Sequence, residues 1–416
     1  MNTGFKMLVT VSVMFLAACT NDSKDIPFTA TDNSQFSFQN DSETKTLTKD
    51  EQDQLNKFNE FGFSVCKLIQ DKSYCFSPLS AGLLLGMLAE GAEGSTRSEI
   101  LAALGAETSG NADINSFARA ILSISRSSKN SEFDIANAVF LAKNTELKKD
   151  YLKTSKEYYD AYVSSLDFSD NKSLGIVNGW VSDQTHGLIN HLLDYLDSNL
   201  FAYFISSLYF KGQWSEVFDD HLTGVETFKK SVGAEKQVPM MKKSGYLYVA
   251  EAEGFRIAQL PYSGGDFLFN IILPQAEGNE SGLLDKLDAA VFTELLNGLK
   301  NETVDLWLPK FNLSTKTPLN PLLNKCGIQT LFLNPDLSNM CSSIDDEIIL
   351  LQRSQINIDE NGTEAAAVTY NEDAVDPPLS PDLQSPVIFH ADRPFSFIVT
   401  HRATGAILFM GSYDGD

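Results

Sequence analysis

Glu360-Asn361-Gly362-Thr363-Glu364-Ala365-Ala366-Ala367-Val368-Thr369-Tyr370-Asn371 carries the strongest signal in this sequence. Gly362 tolerates backbone angles closed to other residues, which suits a hinge. Beyond it, Thr363, Ala365, Ala367, Thr369 and Asn371 alternate with Glu364, Ala366, Val368, Tyr370 and Glu372. Successive side chains of a strand point to opposite sides, so the first set makes one uncharged face of small or modest residues. That face can enter a sheet without burying a charge, while the glutamates face away. Burial decides the matter. An unpaired neutral polar group costs roughly 2–7 kcal/mol in an apolar interior, and a lone ion more. The competing reading of the Ala triplet is a surface helix, since Ala is the best helix former.

The rest of the chain reads as helices followed by strands. Thr48-Lys49-Asp50-Glu51 spells a capping box, and Leu55, Phe58, Gly62, Val65 and Ile69 recur behind it at helical spacing. A second helix follows Phe76-Ser77-Pro78, with Pro78 suited to its first turn, and ends near Gly91. Thr96-Arg97-Ser98-Glu99 spells another capping box, before a short helix stopped at Gly105. Residues 112–126, 150–160 and 174–196 also read as helical. Phe201 to Phe210 is a continuous apolar run, suited to a strand buried on both faces. Short strands are expected at 246–249, 255–260, 267–273 and 304–308, and a hairpin at 395–399 and 407–409. Helices interrupt them at 281–299 and 318–327. The class is α+β with a largely antiparallel sheet.

Composition narrows the function. The 416 residues carry a formal net charge of -23. Nucleic acid, anionic membranes and sulfated polysaccharides are excluded as partners, and cationic ones are favoured. Lys6, the apolar run Met7 to Ala18 and the small residues before Cys19 read as a lipoprotein signal peptide over 1–18, with Cys19 as the acylated residue. Residues 19–47 are polar and read as a flexible tether between lipid and body. Cys66, Cys75, Cys326 and Cys341 form no CxxC pair, so no metal and at most one disulfide are expected. GxSxG, HExxH and Gly-rich phosphate loops are absent, and the five histidines are scattered, so no catalytic residue is assigned.

Seven short motifs stand in order along the body: Phe76-Ser77-Pro78-Leu79-Ser80, Tyr209-Phe210-Lys211-Gly212-Gln213-Trp214, Val238-Pro239-Met240-Met241, Leu308-Pro309-Lys310-Phe311, Ile358 to Ala366, Asp392-Arg393-Pro394-Phe395 and Leu408-Phe409-Met410-Gly411. Their order and spacing resemble the serpin family over residues 49–413. The resemblance implies one domain over 48–416, with three β-sheets, about nine helices and an exposed reactive-centre loop at about 360–390. It implies a monomeric, suicide-type inhibitor of serine endopeptidases, with cysteine endopeptidases as a second class. A protease would cut the loop and form an acyl link to it. The freed loop would then insert as a new strand. About 14 residues at roughly 3.3 Å each would carry the bound protease some 46 Å.

The resemblance also assigns residues. Glu360, Gly362, Thr363, Glu364 and Ala365 to Ala367 form the hinge. The broken bond falls within 374–380, with Val375, Asp376 (followed by Pro377) and Leu379 as candidates. Val375 suits an elastase-like enzyme and Asp376 an acid-specific or caspase-like one. Ser77 and Ser80 match a polar cluster that controls sheet opening. Ser73, Ser206 and Gln352 stand where the family has Asn, Asn and His. Trp214 matches a Trp near the point of loop insertion. Residues 111–130 offer only Arg119, Arg126 and Lys129, so no heparin-type cofactor is expected. The rival function is a non-inhibitory serpin acting as a binding or structural protein. A solute-binding lipoprotein ranks third.

Overall fold

Helix α1 (Lys49–Cys66) starts where the sequence spells its cap. The Thr48 hydroxyl accepts from Glu51 N–H at 3.3 Å, and the Glu51 carboxylate accepts from Thr48 N–H at 2.8 Å. This computed structural model describes residues 46–107, 111–125, 131–231, 233–275, 286–342, 347–363 and 385–416. Helix α2 (Pro78–Gly91) is capped by Ser77 and is buried along nearly its whole length. It forms the middle of the core.

The second capping box does not form. Helix α3 (Gly94–Ala103) begins earlier, with Glu93 as its N-cap. Thr96 lies inside it, and its hydroxyl accepts from Asp336 N–H. The Glu99 carboxylate crosses to accept from Gln329 and Thr330 N–H, both at 2.7 Å. The same spelling therefore serves the start of another helix, α9 (Thr330–Leu333). Helices α4 (Asn111–Ser125) and α5 (Lys149–Tyr159) agree with the periodicity. Helix α6 (Asn171–Gln184) stops well short of residue 196. Its exit turns through His186 and Gly187 at φ 51° and 81°, outside the helical range. Helices α7 (Ala289–Asn297) and α8 (Asn320–Lys325) are the others among the described residues. Among the described residues no helix is long and apolar enough to cross a membrane.

Strands begin earlier than the sequence suggests. β1 (Tyr74–Phe76), β2 (Ser131–Ala142) and β3 (Tyr162–Leu166) lie among the helices. They are followed by β4 (Leu200–Gln213), β5 (Gly224–Lys229), β6 (Glu235–Ala252), β7 (Phe255–Pro261) and β8 (Phe267–Pro274). Next come β9 (Lys300–Pro309), β10 (Phe311–Pro318), β11 (Glu347–Ile358) and the two-residue β12 (Gly362–Thr363). β13 (Val387–His390), β14 (Phe395–His401) and β15 (Ile407–Tyr413) end the chain, the last two forming the expected hairpin.

These strands make two hydrogen-bonded networks. One is nine-stranded, in the order β1-β15-β14-β8-β7-β6-β9-β13 with β5 beside β6. The 18-residue β6 spans two layers: its first part pairs with β5 and β9, and its end pairs with β7. That continuity joins what the resemblance counts as separate sheets. The other network has six strands, in the order β10-β11-β12-β4-β2-β3. Its β4 is buried on both faces. Phe204, Leu208 and Phe210 face the main core, and Tyr203 and Ile205 face a smaller core under α6. Among the described residues, Cys66, Cys75, Cys326 and Cys341 form no disulfide.

Candidate functional site

The site lies at one end of the six-stranded sheet. Over most of their length β4 and β11 are direct parallel neighbours, from Ala202 opposite Ile348 to Leu208 opposite Ser354. Beyond Leu208 they part, and β12 sits between them. Thr363 pairs with Ile358 on one side and with Gly212 on the other, and Gly362 pairs with Gln213. Both contacts are antiparallel. The sheet is thus closed over most of its length and wedged open at one end by the first two residues beyond the turn.

Gly362 is required there. Its φ is +152°, and a Cβ at this position would lie 2.1 Å from the Gly212 carbonyl oxygen. Thr363 is 1% exposed, and its hydroxyl lies 2.6 Å from the Tyr262 hydroxyl. Tyr262 stacks on Trp214, with centroids 4.6 Å apart. Burial pushes the Tyr262 phenol far above its ordinary range, so it stays neutral beside Thr363.

The turn before the wedge is tied on every side. The Asp359 carboxylate accepts from Asn361 N–H at 2.8 Å and from Gly362 N–H at 3.2 Å. Trp214 donates its indole N–H to Asp359 O at 2.9 Å and its backbone N–H to Asn361 O at 2.8 Å. Phe218 N–H donates to Glu360 O at 2.9 Å. The Glu360 carboxylate takes Lys310 Nζ at 2.7 Å and the Thr223 hydroxyl at 2.9 Å. Burial works against its charge, but the hydrogen bonds from Lys310, its own backbone and Thr223 outweigh that, and the carboxyl sits below its ordinary value. A depressed folded-state value stabilises the fold above the unfolded carboxyl range, and the gain is lost as pH falls through the folded value. The stability difference between the native protein and Glu360→Gln should therefore be greatest near neutral pH. It should shrink as denaturation midpoints are measured at successively lower pH.

A row of polar side chains crosses the sheet where it is closed. Ser206 on β4 is in register with Asn137 on β2 and with Gln352 on β11. The N-terminus of α2 covers this row. Gln352 accepts from Ser77 N–H at 2.9 Å and donates to Ser77 O at 2.8 Å. The Ser206 hydroxyl bonds Ser80 Oγ and lies 2.7 Å from Asn137 Oδ1. Ser354 donates to Gln352 Oε1 at 3.1 Å. All six side chains are essentially buried. The Asn137 amide nitrogen is buried without a hydrogen-bond partner among the described residues.

Ser77, Ser80, Ser206 and Gln352 are therefore brought together, and Trp214 lies at the wedge. Ser73 corrects the sequence reading: it is outside this row, and its hydroxyl accepts from Asp414 N–H at 2.9 Å near β15. Asn137, Ser354, Tyr262 and Asp359 escaped the sequence reading. Only strand register unites the first two with the row. Glu364, Ala365, Ala366, Ala367, Val375, Asp376, Pro377, Leu379 and Cys19 lie outside the described residues. Gln352→Ala would leave Ser77 N–H buried and unpaired, while Ser77 O would keep only Ala81 N–H at 3.1 Å, and it would empty the space the amide fills. The expected loss is about 3 kcal/mol, read from chemical denaturation.

A family model described as Serpin (serine protease inhibitor) matches residues 56–414. Neuroserpin of Homo sapiens is 30% identical over 363 residues, covering 82% of this chain and 86% of its own. A serpin-like protein of Thermococcus kodakarensis is 31% identical over 423 residues, covering 97% of each. Among solved structures, the thermophilic serpin tengpin in its native state matches with a TM-score of 0.83 at 25% identity, over 93% of this chain and 100% of its own. Thyroxine-binding globulin in complex with thyroxine matches with a TM-score of 0.78 at 28% identity, over 87% and 98%.

Proposed function

The chain belongs to the serpin family, and on that premise we propose that it is a suicide-type inhibitor of serine endopeptidases. Serpins are for the most part inhibitors that bind target proteases and are not catalysts. The observation that carries the proposal is the β12 wedge. The start of the loop already pairs with both strands that insertion would separate.

Continuing that pairing one residue at a time gives the inserted strand. Thr363 faces Gly212 and Ile358, so Thr369 would face Ser206 and Gln352. Paired residues share a face of the sheet. Gly212 and Phe210 face Tyr262 in the core. Thr363, Ala365, Ala367, Thr369 and Asn371 would therefore enter the core side, and the Thr369 hydroxyl would meet the polar row. No charge is buried on that side.

The same count marks the end of the slot. β4 begins at Leu200 and its parallel neighbour β11 at Glu347. Their partners in the inserted strand would be Val375 and residue 374. A protease linked through Val375 would be drawn to the far edge with no slack. Asp376 would add one residue, and Pro377 behind it resists serine proteases. Leu379 would leave four residues unpaired. This favours the Val375–Asp376 bond and an elastase-like target, and the charge of -23 favours a cationic one.

The protein is to be mixed with elastase-like, trypsin-like and acid-specific serine proteases, and run on denaturing gels. A covalent complex supports inhibition, and the mass of the released peptide fixes the bond. Clean cleavage by every protease, with no complex, supports a non-inhibitory binding role instead. We further propose lipid attachment at Cys19 and display at the outer surface of the cell, where extracellular proteases are met. Cys19→Ala should then move the protein from the membrane fraction to the soluble fraction.

A further inference from the structure

A cavity of about 330 Å³ opens where β6, β7, β9 and β13 meet the end of α7. It lies apart from the wedge and from the polar row. Its floor is apolar: Ile257 and Phe389 are fully buried, with Val249 and Val387 half-buried beside them.

The rim is charged, with one paired and one unpaired group of each sign among the described residues. The Arg256 guanidinium lies over the Phe389 ring, 5.4 Å from its centroid. Its Nε is 2.8 Å from Glu251 Oε1, in an ion pair too poorly aligned to be a hydrogen bond. Gln275 donates to the other Glu251 oxygen at 3.0 Å. Arg256 and Glu251 thus take up part of one another's charge. The exposed Lys300 ammonium has no hydrogen bond or ion pair among the described residues. Glu302, two residues along the same strand, likewise has no side-chain partner there.

We propose that this cavity binds a small anionic amphiphile, a medium-chain carboxylate. Its carboxylate would sit between Arg256 and Lys300, and its chain would lie on Val249, Ile257, Val387 and Phe389. The grading from buried apolar floor to charged rim matches such a molecule end for end. Glu302 opposes the head group and limits the affinity. Val387 and Phe389 belong to β13, so an occupant would brace the strand that follows the reactive loop. The site does not depend on whether the protein inhibits proteases.

The test titrates the intact protein with decanoate, decanol and decyltrimethylammonium, each below its micelle concentration, by calorimetry and ligand-observed NMR. Decanoate should bind at least about tenfold more tightly than the other two, the worth of one charge-assisted contact. Lys300→Gln, an exposed change that leaves the fold intact, should weaken decanoate about fivefold or more, and Glu302→Gln should tighten it. Arg256→Gln should weaken it further. The proposal fails if decanoate does not bind at millimolar concentration, if all three probes bind alike, or if Lys300→Gln leaves its affinity unchanged.

Discussion

Thr363→Arg is expected to convert the protein from a trap into a substrate. Thr363 is 1% exposed and bonds Tyr262 inside the core. The side-chain partner of Thr363 among the described residues is the neutral Tyr262 hydroxyl, which a guanidinium there would leave without its partner. A buried, uncompensated charge costs several kcal/mol. Because the first step of insertion passes through this position, that cost slows insertion by at least about 100-fold. Hydrolysis of the acyl link then outruns trapping. Gels should show cleaved inhibitor and free, active protease, with the covalent complex gone. Thr363→Ser keeps the hydroxyl and should keep the complex, which separates the charge effect from general damage at the hinge.

Trp214→Ala is the second large effect. The ring is buried against Tyr262, Phe218 and Phe269, and its indole N–H holds Asp359 O. Removing a buried Trp costs about 3–5 kcal/mol. Its loss frees the turn that positions β12, so the wedge and the fold weaken together. Trp214→Phe preserves the ring stack and loses only the indole bond, with an expected cost of about 1 kcal/mol. Denaturation midpoints should fall in the order native, Phe, Ala. Equal stability of the native and Ala forms would mean that the turn is held by its backbone contacts alone.

What was legible in the sequence follows the range of the physics. The alternation after Gly362 and the cap at Thr48 are local, and short windows state them fully. The Thr96 to Glu99 spelling is also local, yet Asp336, Gln329 and Thr330 claim its side chains in space. Tertiary partners outbid the local cap. β2 was missed because it lies between helices and its apolar residues run together near its end. Asn137 was missed for a related reason. A lone Asn in an apolar strand gains meaning only from register, which sets it beside Ser206. Ser73 shows the converse: sequence position relative to Ser77 suggested the polar row, but β1 carries it away towards Asp414. The family was legible in seven motifs because their order and spacing hold along the whole body. The two-residue wedge, which turns that resemblance into a register, was not.

The central claim is that the loop inserts between β4 and β11, and its melting temperature tests it most directly. The protein is cut once within residues 364–384 by a protease it does not trap, and melting is followed before and after. Insertion predicts a rise of at least about 10 °C, several kcal/mol for a domain of this size. Thr363→Arg, cut in the same way, should show no rise. An unchanged or lower melting temperature in the cut native protein would contradict the account.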